Sequence, residues 1–262
     1  MEANKNFFQI VLSTDLHQDP QLPSRLEEAS RISQESLSGF DYTRWNNESL
    51  REFIAASFPV EVVRAYDQLQ PLSYRSDLGR FCLLYAFGGW YADIGLKLIS
   101  PTLSKIPVNG MGFFKDLERG LGFPIPAGKT FDVCTGLIVS QARHPALMRC
   151  IEMIVRNVRN KYYGINPLAP TGPHLFGKVL SSFEIPMVRQ IGFYMPLTQA
   201  FMNKNRACVL ESGEICAWAK DAWHSKEAGG GNIAALGLSG ANNYNDFWHE
   251  RRVYGEGEST AS

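Results

Sequence analysis

The chain has no surplus of charge of either sign: 26 Lys and Arg balance 26 Asp and Glu over 262 residues. No global field then draws in a polyanion, and nucleic acid is excluded as an expected partner. Cysteine is sparse, and the five residues at 82, 134, 150, 208 and 216 are odd in number and contain no Cys-x-x-Cys spacing. Most sit in apolar surroundings, so they read as reduced core thiols in a cytoplasmic setting and not as a disulfide frame. Also missing is an apolar run of about eighteen residues, the length that would suggest a membrane span. The opening MEANKNFFQIVL carries an acidic residue and no adequate apolar signal segment, so the sequence predicts an unexported, soluble chain.

What is present suits one α/β domain spanning 1–262. With 45% hydrophobic residues the chain can bury a sizeable core, and no linker interrupts it. Apolar runs at Phe7 to Leu12 and Tyr42 to Trp45 read as strands, as do Gly110 to Asp116 and Val133 to Val139. Pro124, Pro126 and Gly128 mark the turn between the last two. Leu22 to Glu35 and Glu48 to Ser57 read as helices, the second closed by Pro59. Pro145 to Lys161 keeps helical spacing through Leu147, Cys150, Ile151, Ile154, Val155 and Val158. This alternation predicts helices around a largely parallel sheet.

The densest information lies in residues 74–95, YRSDLGRFCLLYAFGGWYADIG. Ser76 reads as an N-cap, and Leu78, Phe81, Cys82 and Tyr85 form a buried stripe on a short helix. Asp77 and Arg80, three apart, share the other face, where an ordinary surface ion pair is the simpler reading of the residues alone. Gly88-Gly89 ends the helix where a positive φ is cheap. Trp90 to Ile94 then alternates like a strand, with Tyr91 and Asp93 on one side.

This stretch resembles the sugar-binding signature of the Asp-x-Asp glycosyltransferases of family 32, a group that includes yeast initiating mannosyltransferases, bacterial capsule enzymes and, more distantly, the clostridial glucosylating toxins. Arg75, Ser76, Asp77, Arg80, Tyr85, Gly88, Gly89, Tyr91 and Asp93 sit at matching positions, whereas Gly95 stands where the family has its second acidic residue. NFFQIVLS resembles the family's first nucleotide-binding strand, and Pro170-Thr171-Gly172-Pro173 resembles a Thr-Gly-Pro motif of its bacterial members. The resemblance implies a Rossmann-like glycosyltransferase A fold with a mostly parallel central sheet flanked by helices. It also implies a retaining transfer of a hexose from a UDP- or GDP-sugar to a glycan or lipid-linked saccharide acceptor, in bacterial surface polysaccharide synthesis.

By the same resemblance Asp77 and Arg80 hydrogen-bond the donor sugar, a task suited to a carboxylate acceptor and a multi-donor guanidinium. Asp93 places sugar and ribose and helps anchor a Mn2+ or Mg2+ ion, which prefers oxygen ligands. Gly95 removes one ligand, and the C-terminal Asn243, Asp246 and His249 are the candidate replacements, His249 being the one assigned. Alternatively Arg251 and Arg252 neutralise the diphosphate without metal. Backbone groups around Val11 and Leu12 are expected to grip the base, with Tyr91 beside the nucleotide or packed in the core. Thr135 and Asp132 either face the sugar or serve as buried caps. His144 reads as a turn residue, and His174 lies just after Thr171, a natural N-cap.

The glycine-rich stretch 225–243 reads either as a flexible linker or, with the following residues to 262, as a lid that brings Trp248 and His249 to the donor. Arg149, Arg156, Arg159 and Lys161 form a basic strip that either is a solvated face or touches anionic lipid at the inner membrane face. Two other readings compete with transfer to a glycan. One is a sugar-nucleotide or glycan binding protein that lost turnover with Gly95, and the other is a toxin-like enzyme modifying a protein.

Overall fold

The computed structural model describes residues 5–14, 22–117, 132–184, 187–197, 206–219 and 244–255. Nine strands among them form one sheet: β1 (Asn6–Ile10), β2 (Asp41–Trp45), β3 (Gly89–Ala92), β4 (Leu96–Leu98), β5 (Met111–Asp116), β6 (Val133–Ser140), β7 (Val188–Pro196), β8 (Arg206–Leu210) and β9 (Ile215–Ala219). Their spatial order is β2-β1-β3-β6-β5-β7-β8-β9-β4. The helices are α1 (Ser24–Ser36), α2 (Asn47–Ser57), α3 (Val60–Gln68), α4 (Leu72–Phe87), α5 (Pro145–Arg159), α6 (Pro173–Leu180) and α7 (Tyr244–His249).

The α/β class matches the expectation from sequence, but the strand directions correct it. Only β1 with β2, β1 with β3, and β5 with β7 run parallel. The pairs β3-β6, β5-β6, β7-β8, β8-β9 and β4-β9 are antiparallel. A parallel neighbour needs a crossover, whereas β8 returns as β9 through a tight turn at Leu210 to Gly213, with Gly213 at φ +88°. The sheet is therefore mixed, with antiparallel pairing predominating, and β7 to β9 went unread in the sequence.

The sheet is also curled. Ala92 ends β3 and Leu96 begins β4, so they are at most about 14 Å apart along the chain. Yet β4 pairs with β9 at the far edge, six strand spacings from β3 in the order, or about 29 Å if flat. Only curling brings that edge round to β3, and the residues at the join are Asp93, Ile94 and Gly95. Side-chain alternation divides the core across the sheet. Phe8, Tyr91 and Ile138 pack with α2 to α6 on one face, while Phe7, Trp90, Leu137 and Val139 join Phe114, Cys208, Cys216 and Ala217 on the other. All five cysteines are buried and unpaired, as expected of core thiols.

Helix α4 departs from the amphipathic reading. It begins four residues earlier than Ser76, directly after Pro71, and Ser76 lies inside it. Leu78, Phe81 and Cys82 are buried as expected, but so are Tyr74, Asp77, Gly79, Arg80, Leu83 and Leu84. A helix enclosed on most sides must satisfy its polar residues internally. Gly79 lets α2 approach closely, since a Cβ there would lie 2.7 Å from Leu50 Cδ2. The Gly88-Gly89 break behaves as the sequence suggests, with φ of +66° and +106°. Helix α3 was not anticipated: α2 ends at Ser57 ahead of Pro59 as expected, and the same proline also precedes a new helix at Val60.

Of the expected lid, residues 225–243 and 256–262 lie outside the described residues. Residues 244–255 are docked on the body, through Gln70 N–H to Val253 O at 2.9 Å and Gly255 N–H to Gln68 O at 2.7 Å. Among the described residues no helix is long and apolar enough to cross a membrane.

Two glycines separate the causes of strain. At Gly89 a Cβ would lie 2.2 Å from Asn6 O, whereas at Gly39, with φ +86°, nothing lies within 4 Å. Gly39→Ala is expected to cost only the left-handed backbone penalty, about 1 to 2 kcal/mol, and Gly89→Ala several kcal/mol more because backbone must shift. Urea unfolding of both variants checks this; equal midpoints would contradict it.

Candidate functional site

Arg80 is the hub. The residue is 4% exposed, and its guanidinium reaches three elements. Nη2 lies 3.1 Å from Asp77 Oδ1 and 3.3 Å from Asp93 Oδ1, and Nη1 donates to Thr135 O at 2.5 Å. Nε donates to Ser76 O at 3.3 Å, and the planar group lies over the Tyr91 ring, 4.7 Å from its centroid. Arginine suits this role because its fork and its face can be used together. The pair with Asp77 is thus not the surface contact that i, i+3 spacing suggested. The face of α4 opposite the apolar stripe is covered by β6 and by the chain before α6.

Asp93 is the outward end of the network, with its side chain 43% exposed. Period two along β3 places Tyr91 on the same side, and the Tyr91 hydroxyl donates to Asp93 Oδ1 at 2.7 Å. The backbone of Asp93 is held by Gly136 O, which accepts its N–H at 2.8 Å, and Leu96 N–H donates to Asp93 O at 2.9 Å to close a turn. Gly136 leaves room for the carboxylate, since a Cβ there would lie 2.8 Å from Asp93 Oδ2. Gly95, where a second acid was expected, is a buried residue of this turn.

Asp77 is held from the far side as well. Its Oδ2 accepts the Thr171 hydroxyl at 2.7 Å, and a Cβ on Gly172 would approach that oxygen to 3.4 Å. Thr171 is therefore not the N-cap of α6, a position taken by Gly172. Burial pushes the Asp77 carboxyl up from 3.8 to about 6, outweighing the pull of Arg80 and Thr171, while Asp93 adds to the rise. For Arg80 burial works against the charge, but Asp93, Tyr91 and Asp77 more than offset it and keep the cation charged. The Tyr91 phenol is held well above its ordinary range by burial.

Val11 and Leu12 are buried at the end of β1, where Val11 packs against Ile94, so the strand end lies beside the Asp93 turn. The Val11 N–H is engaged by Trp45 O at 2.8 Å. Sequence reasoning missed Asn47, whose side chain clamps the loop after β1 by accepting Ser13 N–H at 2.9 Å and donating to Ser13 O at 3.0 Å. It also missed the Thr135 carbonyl and Gly136; the only signal was glycine within an otherwise apolar strand. Thr135 itself is buried. Asp132 meets His174, Oδ1 to Nδ1, at 3.2 Å. His144 is an N-cap, its Nδ1 accepting Ala146 N–H at 3.2 Å.

The C-terminal candidates are engaged elsewhere. Trp248 Nε1 donates to Tyr163 O at 2.7 Å, and His249 is exposed with its ring edge-on to Trp248. Arg251 lies over the rings of Tyr163 and Trp248, and Arg252 pairs with Glu250. None of them is joined by a described contact to the Arg80 network; Asn243 lies outside the described residues. Among the described residues no group of three His, Cys, Asp or Glu side chains could hold a metal, so Asp93 and His249 share no such cluster. One part-exposed carboxylate fits a divalent cation carried chiefly by phosphate and water, as Mg2+ often is, and does not fit a cage built by protein alone.

No family model matches the chain. It is 22% identical over 194 residues to inositol phosphoceramide mannosyltransferase 3 of Schizosaccharomyces pombe, covering 72% of this chain and 49% of that protein. It is 27% identical over 128 residues to an uncharacterized glycosyltransferase of Acanthamoeba polyphaga mimivirus, covering 47% and 46%. The chain thus spans about half the length of the curated relatives it matches. A solved structure, the PaToxG glycosyltransferase, aligns over 96% of this chain and 85% of its own at 15% identity, with a TM-score of 0.48.

The raised Asp77 value carries a stability consequence. In the folded state this group keeps its proton up to about pH 6, against 3.8 when unfolded, so its contribution is full below pH 3.8 and is lost as pH rises through 6. Wild type should therefore lose about 3 kcal/mol relative to Asp77→Asn between pH 3.8 and 7. Chemical denaturation across that range measures it; parallel curves would contradict the assignment.

Proposed function

We propose that the chain is a glycosyltransferase that moves a hexose from a nucleotide-sugar donor to a glycan or glycolipid hydroxyl. The single observation carrying this reading is the network of Asp77, Arg80, Tyr91 and Asp93. Two charged side chains are buried on a core helix, and one carboxylate is presented at a strand end. A buried ion pair costs desolvation, and hydrophobic residues of like volume would serve stability as well, so its presence argues for a polar ligand. The names of the two sequence relatives supply the reaction class.

In this reading Asp77 accepts hydrogen bonds from sugar hydroxyls and Arg80 orients both carboxylates, while Asp93 faces the sugar and the diphosphate. A divalent cation, when bound beside Asp93, neutralises charge on the departing diphosphate. The sugar C1–O bond to the diphosphate breaks, an acceptor oxygen bonds C1, and the hydroxyl proton leaves with the diphosphate oxygen. Retention of configuration rests on the family resemblance. The fission-yeast relative is named for mannosyl transfer to inositol phosphoceramide, which favours a glycolipid acceptor, while a role in surface polysaccharide assembly rests on the family resemblance. Exposed Arg156, Arg159 and Lys161, next to Tyr162 at 44% exposure and Ile165 at 59%, suit contact with an anionic lipid surface near such an acceptor. A binding protein without turnover is the second reading, favoured by the buried Gly95.

A thermal-shift panel of UDP, GDP and their common sugars, with and without Mn2+, tests the proposal. One nucleotide should raise the melting temperature of wild type, more so with Mn2+, and Asp93→Asn should lose the Mn2+-dependent part. No shift with any nucleotide sugar would overturn the proposal. Binding without release of the nucleotide diphosphate would favour the second reading. For the lipid surface, sedimentation with vesicles containing phosphatidylserine should fall at least several-fold when Arg156, Arg159 and Lys161 are all changed to Glu, and unchanged sedimentation would exclude that contact.

A further inference from the structure

We infer that Thr171 is a positioning residue for the sugar site, holding the Asp77 carboxylate so that Oδ1 serves Arg80 while Oδ2 is fixed by the Thr171 hydroxyl. The inference rests on the proposed role of Asp77 as a sugar ligand, and it assigns a task to the Pro170-Thr171-Gly172-Pro173 turn.

Three observations converge. Thr171 is fully buried, and its hydroxyl donates to Asp77 Oδ2 at 2.7 Å across 94 residues of sequence. A buried threonine could satisfy its hydroxyl locally, so a contact this distant reflects tertiary placement. The turn carrying it is anchored independently of Asp77. Asn157, itself buried on α5, donates through Nδ2 to Pro170 O at 2.8 Å, Gly172 N–H donates to Leu168 O at 3.2 Å, and the Tyr74 hydroxyl donates to Pro167 O. Finally, Gly172 stands directly beside the Asp77 oxygen, 3.4 Å from where its Cβ would be, so the turn packs against the carboxylate in van der Waals contact. The arrangement gives the carboxylate a donor whose own position is fixed.

The charged and titratable groups facing Asp77 are Arg80 on its own helix, Asp93 after β3 and Tyr74 one turn earlier, with Tyr91 beyond Arg80. Of these, Arg80 favours the ionised carboxyl and Asp93 opposes it. Burial opposes the ionised form most strongly, and Thr171 is the neutral donor that adds to Arg80 in favouring the carboxylate. A carboxylic acid would place a proton where a sugar hydroxyl must donate.

The test compares Thr171→Val, which keeps shape and removes the donor, with Thr171→Ser, which keeps the donor. Carboxyl-13C aspartate NMR, with Asp77 identified through Asp77→Asn, follows the titration without any ligand. Thr171→Val should titrate Asp77 at higher pH than wild type, and Thr171→Ser should restore the wild-type value. Hydrolysis of UDP-glucose and GDP-mannose with Mn2+ reads the functional side. Whichever donor wild type cleaves, Thr171→Val should lower turnover roughly tenfold at pH 7, recovering as pH rises, with Thr171→Ser near wild type. An unchanged Asp77 titration in folded Thr171→Val, or an equal loss in Thr171→Ser, would overturn the inference. Absence of binding and hydrolysis in wild type would instead overturn the proposed function, leaving the NMR comparison to decide the placement of Asp77.

Discussion

The structure around the site depends on one buried cation. Arg80 sits inside α4, under the sheet face, and holds together a helix, a strand end and the opposing strand β6 through Asp77, Asp93 and the Thr135 carbonyl. An unpaired guanidinium at that depth would carry a desolvation penalty of several kcal/mol, so each partner is obligatory. The surrounding residue choices follow. Tyr91 supplies an aromatic face for the guanidinium and a hydroxyl for Asp93, and Gly136 keeps carbon away from the Asp93 carboxylate. Acidic groups outnumber the cation by one, and the excess falls at Asp93, the part-exposed member.

The second constraint is the curl of the sheet. The short passage from β3 to β4 joins strands at the third and ninth places in the order, and Asp93 lies within it. The Asp93 turn is pinned by Gly136 on β6 and by Leu96 at the start of β4, while Ile94 anchors it to Val11 at the end of β1. The catalytic candidate is thus placed by strands distant in sequence on either side.

Much of this was legible, and the limits have physical causes. The strands before residue 140, apart from the three-residue β4, and the helices α1, α2 and α5 follow from hydrophobic period and proline punctuation, within a few residues. The break at Gly88-Gly89 follows from the need for positive φ. The Tyr91 to Asp93 contact follows from period two. What escaped was set by tertiary context. Asp77 and Arg80 carry the spacing of a surface pair, and only the turn before α6 and strand β6 make them buried. Thr171 carries the signal of an N-cap, and its true partner is an aspartate far along the chain. Strand direction is invisible to periodicity, and resemblance to a parallel architecture misled there. Trp248, read as a lid residue, has its indole N–H fixed on the Tyr163 carbonyl, a contact no local pattern announces.

The β3 to β4 passage also imposes an order of assembly. Asp93 leaves the ribosome early, together with Asp77 and Arg80, but β4 has no strand to pair with until residues 215–219 exist as β9. Until then β4 is held by α1 alone, through Leu98 N–H to Ser33 Oγ at 3.0 Å and Ser36 Oγ to Leu98 O at 2.9 Å. Closure of the curled sheet thus waits for residue 219, whereas the described partners of Arg80 are all made by residue 135, so the charged cluster and the sheet edge that closes beside it belong to different stages of synthesis.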